Sequence, residues 1–173
     1  MFDSTLGFEG EGPQPSIVTW NAQGLGRIDV HPQAMMALLH TWGVIVAVVP
    51  ESQWRHDLSV EHTAPWGYRI VHFNFEWSGV ARGVAFFVHL DWDIDEGTMD
   101  MPDPLAPEAR DTCFYIRASL TRVGGGHPTL SILGAYVPPG TEWDPAFKNL
   151  LLLAAKAHRE AEGRGEHFYM LGD

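Results

Sequence analysis

Apolar positions along this chain follow two periods. "SIVTWN" reads as a first strand, and "VIVAVV", Val44 to Val49, is the continuous apolar run of a strand buried on both faces. Pro50 has no N–H for a sheet ladder, so it ends that strand and leaves Glu51 at its tip. "GYRIVHFN", "GVAFFVHLDW", "TCFYIRASL" and "TLSILGAYV" follow, rich in β-branched and aromatic residues and separated by turn or loop segments. Strands that succeed one another without helices between them imply antiparallel pairing, and "GGGH" has the composition of a hairpin connection.

Two segments carry the 3.6-residue period instead. In "HPQAMMALLHTW", Pro32 suits a first turn, Met35, Leu38, Leu39 and Trp42 recur on one face, and Gly43 closes the helix. In "DPAFKNLLLLAAKAHREAEG", Asp144 is an N-cap, Pro145 suits the first helical position, and Gly163 suits the position after the end. Its expected apolar stripe is Phe147, Leu150, Leu151, Ala154 and Ala157. A terminal strand, "FYML", completes the order. The pattern predicts a β-rich α/β layer architecture in one domain from residue 16 to 173, after a flexible leader at 1–15. One sheet with helices outside it is expected, together with strands of an unfinished second sheet. An apolar face left uncovered there would promote association.

Composition narrows the function classes. With 22 acidic against 11 basic residues the net charge is -11, so non-specific attraction to nucleic acid is excluded and phosphate recognition needs a local basic cluster or a divalent metal. Eight of the acids fall in "LDWDIDEGTMDMPDPLAPEARD", which reads as a solvated loop and lacks the spacing of a calcium-binding loop. Cys113, the single cysteine, sits in a strand pattern and reads as a buried small hydrophobe rather than a nucleophile. "WGVIVAVV" is too short to span a bilayer, and the acidic N-terminus lacks the basic flank of a secretory signal, so an intracellular protein, nuclear or cytoplasmic, is expected with no membrane partner.

Four polar residues share a position at the C-terminal end of an apolar strand: Asn21, Glu51, Tyr136 and Asp173. If those ends converge, hard oxygen ligands suited to magnesium or manganese gather at one place. Each alone has a plainer structural reading. Asn21 can satisfy a turn, Glu51 can be an exposed strand-end acid, Tyr136 a core aromatic, and Asp173 a frayed terminus.

Taken in order, "IVTWNAQGLG", "VIVAVVPES", "RGVAFFV", "LGAYVPPG" and "FYMLGD" resemble the endonuclease/exonuclease/phosphatase superfamily from about residue 16 to 173. Within it, the nearer likeness is to the exonuclease III and apurinic endonuclease branch and to non-LTR retrotransposon endonucleases. The resemblance implies a layered α/β sandwich of mostly antiparallel sheets, C-terminally incomplete. It implies a phosphodiester hydrolase, by resemblance a magnesium-dependent nuclease with nucleic acid as substrate. By the same likeness Glu51 binds the metal and Asn21 supports the metal site. Tyr136 approaches the scissile phosphate, and Asp173 positions or deprotonates the attacking water.

Departures from the pattern are Pro50 before the glutamate, Gln53 where lysine is common, Gln23 where Asp or Asn is frequent, and Pro139 after Tyr-x-Pro. The family's asparagine two residues after the aspartate, its later metal aspartate and its Ser-Asp-His are not among the 173 residues. The expectation is therefore an N-terminal fragment, weakly active or inactive alone, that stops inside the active site. The alternatives are a decayed, non-catalytic relative such as a retrotransposon remnant, and a non-enzymatic α/β interaction domain.

Overall fold

A computed structural model describes residues 16–21, 32–50, 66–77, 80–102, 113–140 and 144–173. The elements run β1 (Ser16–Thr19), α1 (Pro32–Thr41), β2 (Val44–Pro50), β3 (Tyr68–Trp77), β4 (Val80–His89), β5 (Trp92–Asp100), β6 (Phe114–Arg122), β7 (Leu130–Tyr136), α2 (Asp144–Arg164) and β8 (His167–Gly172). They form two four-stranded sheets, ordered β1-β2-β4-β3 and β5-β6-β7-β8. The pairs β1–β2 and β7–β8 are parallel and the other four antiparallel, as the strand succession required. The fold is an α/β sandwich of two four-stranded sheets.

Alternation along each strand explains the layers. On β2, Val46 and Val48 face the second sheet, with Phe86, Ile116, Ile132 and Leu130 in the same cluster. Ala47 and Val49 face the other way, into a cluster with Met35, Met36 and Leu39 of α1. Burial on both faces is why this strand reads as an unbroken apolar run. On β6, Phe114, Ile116 and Leu120 point between the sheets. Arg117 and Ser119 point outward, toward partners at the C-terminal half of α2 and just beyond it.

Both helices sit rotated from the expected stripes. On α1 the buried residues are Met35, Met36 and Leu39, while Leu38 and Trp42 are exposed. On α2 they are Ala146, Leu150, Ala157 and Ala161, whereas Phe147 and Leu151 are half exposed. Small alanines let the α2 backbone lie close to its sheet, and close approach favours that face over the bulkier one. Phe147, Leu151 and Leu152 of α2 and Met170 of β8 are exposed. The α2 helix also runs through Gly163. It ends at Gly165, φ 70°, where Gly165 N–H donates to the Glu162 carbonyl at 3.0 Å and Glu166 N–H to Ala161 at 2.9 Å. That pair of bonds is the Schellman closure of a helix C-terminus.

The acidic segment is the main correction. Trp92 to Asp100 is strand β5, not a solvated loop. "WDID" alternates, with Trp92 buried and Asp93 and Asp95 exposed, so one face packs while the acids stay in water. A break in register after Asp95 accommodates Gly97, whose N–H donates to Asp95 Oδ1 at 3.0 Å, and Thr98, whose hydroxyl donates to the Asp95 carbonyl at 2.8 Å. Cys113 is buried, and burial pushes its thiol up to about 11, consistent with a packing role. No helix among the described residues is long and apolar enough to cross a membrane.

The sheets pack closely at Gly134 of β7. A Cβ there would lie 2.7 Å from Val48 Cγ1 and closer still to the Phe86 ring, both from the first sheet. Gly134→Ala therefore has to push the sheets apart or twist Phe86 off its rotamer, at about 1–3 kcal/mol or more. A lowered urea midpoint with unchanged far-UV circular dichroism is the expected result.

On the outer face, the Arg117 guanidinium meets Glu160 at 2.7 Å, and Arg164 meets Glu166 at 2.8 Å, with Ser119 Oγ donating to Glu166 at 2.9 Å. The Arg164 hydrogen bond holds the Glu166 carboxyl below the usual range, and Arg117 does the same for Glu160. A carboxyl lowered in the folded state stabilises fully above its unfolded value and loses that stability as pH falls through the folded one. Thermal midpoints should drop between about pH 5 and pH 3. In Glu166→Gln that drop should be smaller, with lower stability at pH 7.

Candidate active site

The parallel pairs set the geometry. Thr19 of β1 lies opposite Val48 of β2, and the Trp20 N–H continues the ladder to the Val48 carbonyl at 2.9 Å. The chain therefore leaves β1 beside the C-terminal end of β2, with Trp20 leaning on Trp42 at 6.2 Å between ring centres. Asn21 is the next residue, exposed at that corner. In the second sheet, β7 and β8 run side by side and their ladder continues past Gly172: Asp173 N–H donates to Ala135 O at 3.2 Å, and Val137 N–H donates to Asp173 O at 3.0 Å.

The two corners meet. Asn21 Nδ2 donates a hydrogen bond to Asp173 Oδ2 across 152 residues of sequence. A contact of that separation exists only because each sheet presents the C-terminal ends of its parallel strands at the same edge of the sandwich. That edge is where α/β sheets commonly bind ligands.

Tyr136 enters from below. Its backbone is bracketed by the two Asp173 ladder bonds, while its ring is buried between the sheets, 6.0 Å from Phe114. Only the tip of such a ring can reach a substrate. Glu51 follows Pro50, the last residue of β2, and lies outside the described residues, as do Gln23 and Gln53. So three of the four strand-end residues share one corner.

Gly172 positions the acid that follows it. Its φ is 155°, and a Cβ there would run into the Ala135 carbonyl. Only a residue without a side chain lets β8 pass that close to β7 and deliver Asp173 to the edge.

A cavity of about 540 Å³ adjoins this corner on the α2 side, walled by Val137, Phe147, Leu150, Met170 and Leu171 with Asp144 and Asp173 at its border. Its apolar walls and two carboxylates do not suit a phosphate. For a divalent metal, the donor chemistry fits in kind: an amide and a carboxylate are hard oxygen ligands. Among the described residues no group of three or more His, Cys, Asp or Glu stands ready to hold a metal, so a site here depends on more than Asp173.

The two-sheet topology is the endonuclease/exonuclease/phosphatase fold, as the sequence resemblance implied. The chain is similar to the human Nocturnin catalytic domain with bound sulfate, at 18% identity and TM-score 0.59, over 90% of this chain and 62% of that one. It is similar to D. rerio TDP2 complexed with single-strand DNA product, at 15% identity and TM-score 0.57, over 92% and 60%. It is also similar to ANGEL2, a 2′,3′-cyclic phosphatase, at 14% identity and TM-score 0.53, over 82% and 42%. The chain thus spans less than two thirds of each of these structures. No protein-family model and no curated protein matches it.

Gly172→Ala should detach Asp173 from Asn21 while the sandwich stays folded. The Asn21 side-chain amide resonances should move to the position they take in Asp173→Ala, with the core methyl spectrum largely unchanged. Unmoved Asn21 resonances would refute the positioning role.

Proposed function

We propose that this chain carries the N-terminal part of a divalent-metal-dependent phosphodiester hydrolase whose substrate is nucleic acid. The observation that supports it most is the Asn21–Asp173 side-chain hydrogen bond, which joins the ends of the two sheets at the edge where Tyr136 also lies. The fold shared with Nocturnin, TDP2 and ANGEL2 supports the reaction class.

In this reading Asp173 orients the attacking water and accepts its proton. Asn21 donates to the Asp173 carboxylate and fixes its rotamer, so that the base is aimed before substrate arrives; groups held in place beforehand contribute most. The Tyr136 hydroxyl supports a phosphoryl oxygen from the buried side. Glu51, with Asn21, would hold magnesium or manganese, which supplies Lewis-acid stabilisation of the charge developing on the phosphoryl oxygens. The net charge of -11 makes such local neutralisation necessary for any nucleic-acid substrate.

The test is cleavage of a fluorescent oligonucleotide by the longest natural product containing this sequence, with magnesium and with chelator. Chelator-sensitive turnover, lowered about a hundredfold or more by Asp173→Asn and by Glu51→Gln, is expected. Turnover that survives Asp173→Asn overturns the assignment. A folded protein that binds manganese but cleaves nothing would instead identify a decayed relative.

A further inference from the structure

The sandwich has a second opening at the opposite pole. From Val44 to Pro50 strand β2 spans about 20 Å, so this pole lies that far from the Asn21–Asp173 corner. A cavity of about 230 Å³ opens here, and both sheets contribute to it. His40, from the end of α1, and His89, from the end of β4, stack at 6.4 Å between ring centres and 16° between planes. Tyr68 stands edge-on to His89 at 5.2 Å, and its hydroxyl is fixed by donation to the Val44 carbonyl at 2.5 Å. From the second sheet come Trp92, Arg122 and His127, with the His127 ring 6.0 Å from Trp92.

Hydrogen-bond donors gather at this pole. The cavity collects three imidazoles and one guanidinium against one carboxylate, Asp91, in a chain whose net charge is -11. Asp91 points largely into solvent, with 70% of its side chain exposed, and lies 3.5 Å from His89 Nδ1. That Nδ1 also accepts the Asp91 N–H at 3.2 Å, which places the proton of a neutral His89 on Nε2. Arg122 makes no ion pair among the described residues. A cation is the wrong occupant, since no metal-holding group exists among the described residues. A guanidinium fork beside imidazole N–H donors is the chemistry that recognises an oxyanion.

We propose that this pole is a second binding site, for a small tetrahedral oxyanion held by Arg122 and the histidines, independent of the hydrolytic corner. The anion is either free or the end group of a small aromatic molecule whose ring packs against His40, His89 and Trp92. Histidine ring proton spectra of the whole chain, titrated with sulfate and separately with phenylphosphonate, test it. Saturable shifts of His40, His89 and His127, with His158 unmoved, are expected in the wild type and equally in Asp173→Asn. Arg122→Gln should weaken binding about tenfold or more, and Asp91→Asn, an exposed change that leaves the fold alone, should tighten it. Tighter binding of phenylphosphonate than of sulfate identifies the aromatic ligand, and equal binding a free anion. Absence of saturable shifts, or an Arg122→Gln titration that matches wild type, overturns the proposal. Because Asp173→Asn should leave these shifts intact, failure of the hydrolase reading and failure of this one are separable.

Discussion

Everything in this molecule hangs on how closely its two sheets approach. Gly134 of β7 has no side chain, and Phe86 and Val48 of the first sheet occupy the space a Cβ would need. Packed interiors tolerate neither gaps nor overlap, so this contact fixes the offset of one sheet on the other. Val46, Ile116, Ile132 and Leu130 then fill the seam around it. If the sheets slid, the ends of β1 and β8 would part.

From that offset the two poles acquire different chemistries. At one, the parallel strands deliver Asn21 and Asp173 into mutual hydrogen bonding, and polar groups there can be aimed because β1 and β8 are each paired to a buried strand, β2 and β7. At the other, the ends of α1, β4 and β6 meet the β6–β7 turn, and they bring imidazoles and a guanidinium together. The two ends of the sandwich thus differ: a carboxylate-bearing edge, and an imidazole-lined pocket about 20 Å away.

The outer face of the second sheet follows a different logic. Arg117 is almost wholly buried on an apolar strand, which would be costly without Glu160 to pair with it. The neighbouring Ser119–Glu166–Arg164 group closes the end of α2 and the start of β8 together. Because β8 carries Asp173 at its far end, a polar network at one end of the strand anchors the element that delivers the acid at the other.

Local pattern alone determined much of this protein. The unbroken "VIVAVV" run encoded a strand covered on both faces, Pro50 its end, and Gly43 the end of α1. The strand-end positions of Asn21, Tyr136 and Asp173 were legible because sheet ends are written into the chain as the point where apolar alternation stops. Other features were not legible, because they depend on neighbours distant in sequence. "WDID" looked like a loop while its charges were counted, and became β5 once β6 offered Trp92 and Ile94 a partner strand. Of the α2 stripe, Leu150 and Ala157 are buried as expected, but Ala146 and Ala161 take the places of Phe147 and Leu151, since a helix chooses its buried face by the shape of the sheet it meets. The partnership of Asn21 with Asp173, and the gathering of His40, His89, His127 and Arg122, could be decided only by tertiary structure. Sequence specifies each strand's ends, but the packing of one sheet on another decides which ends meet.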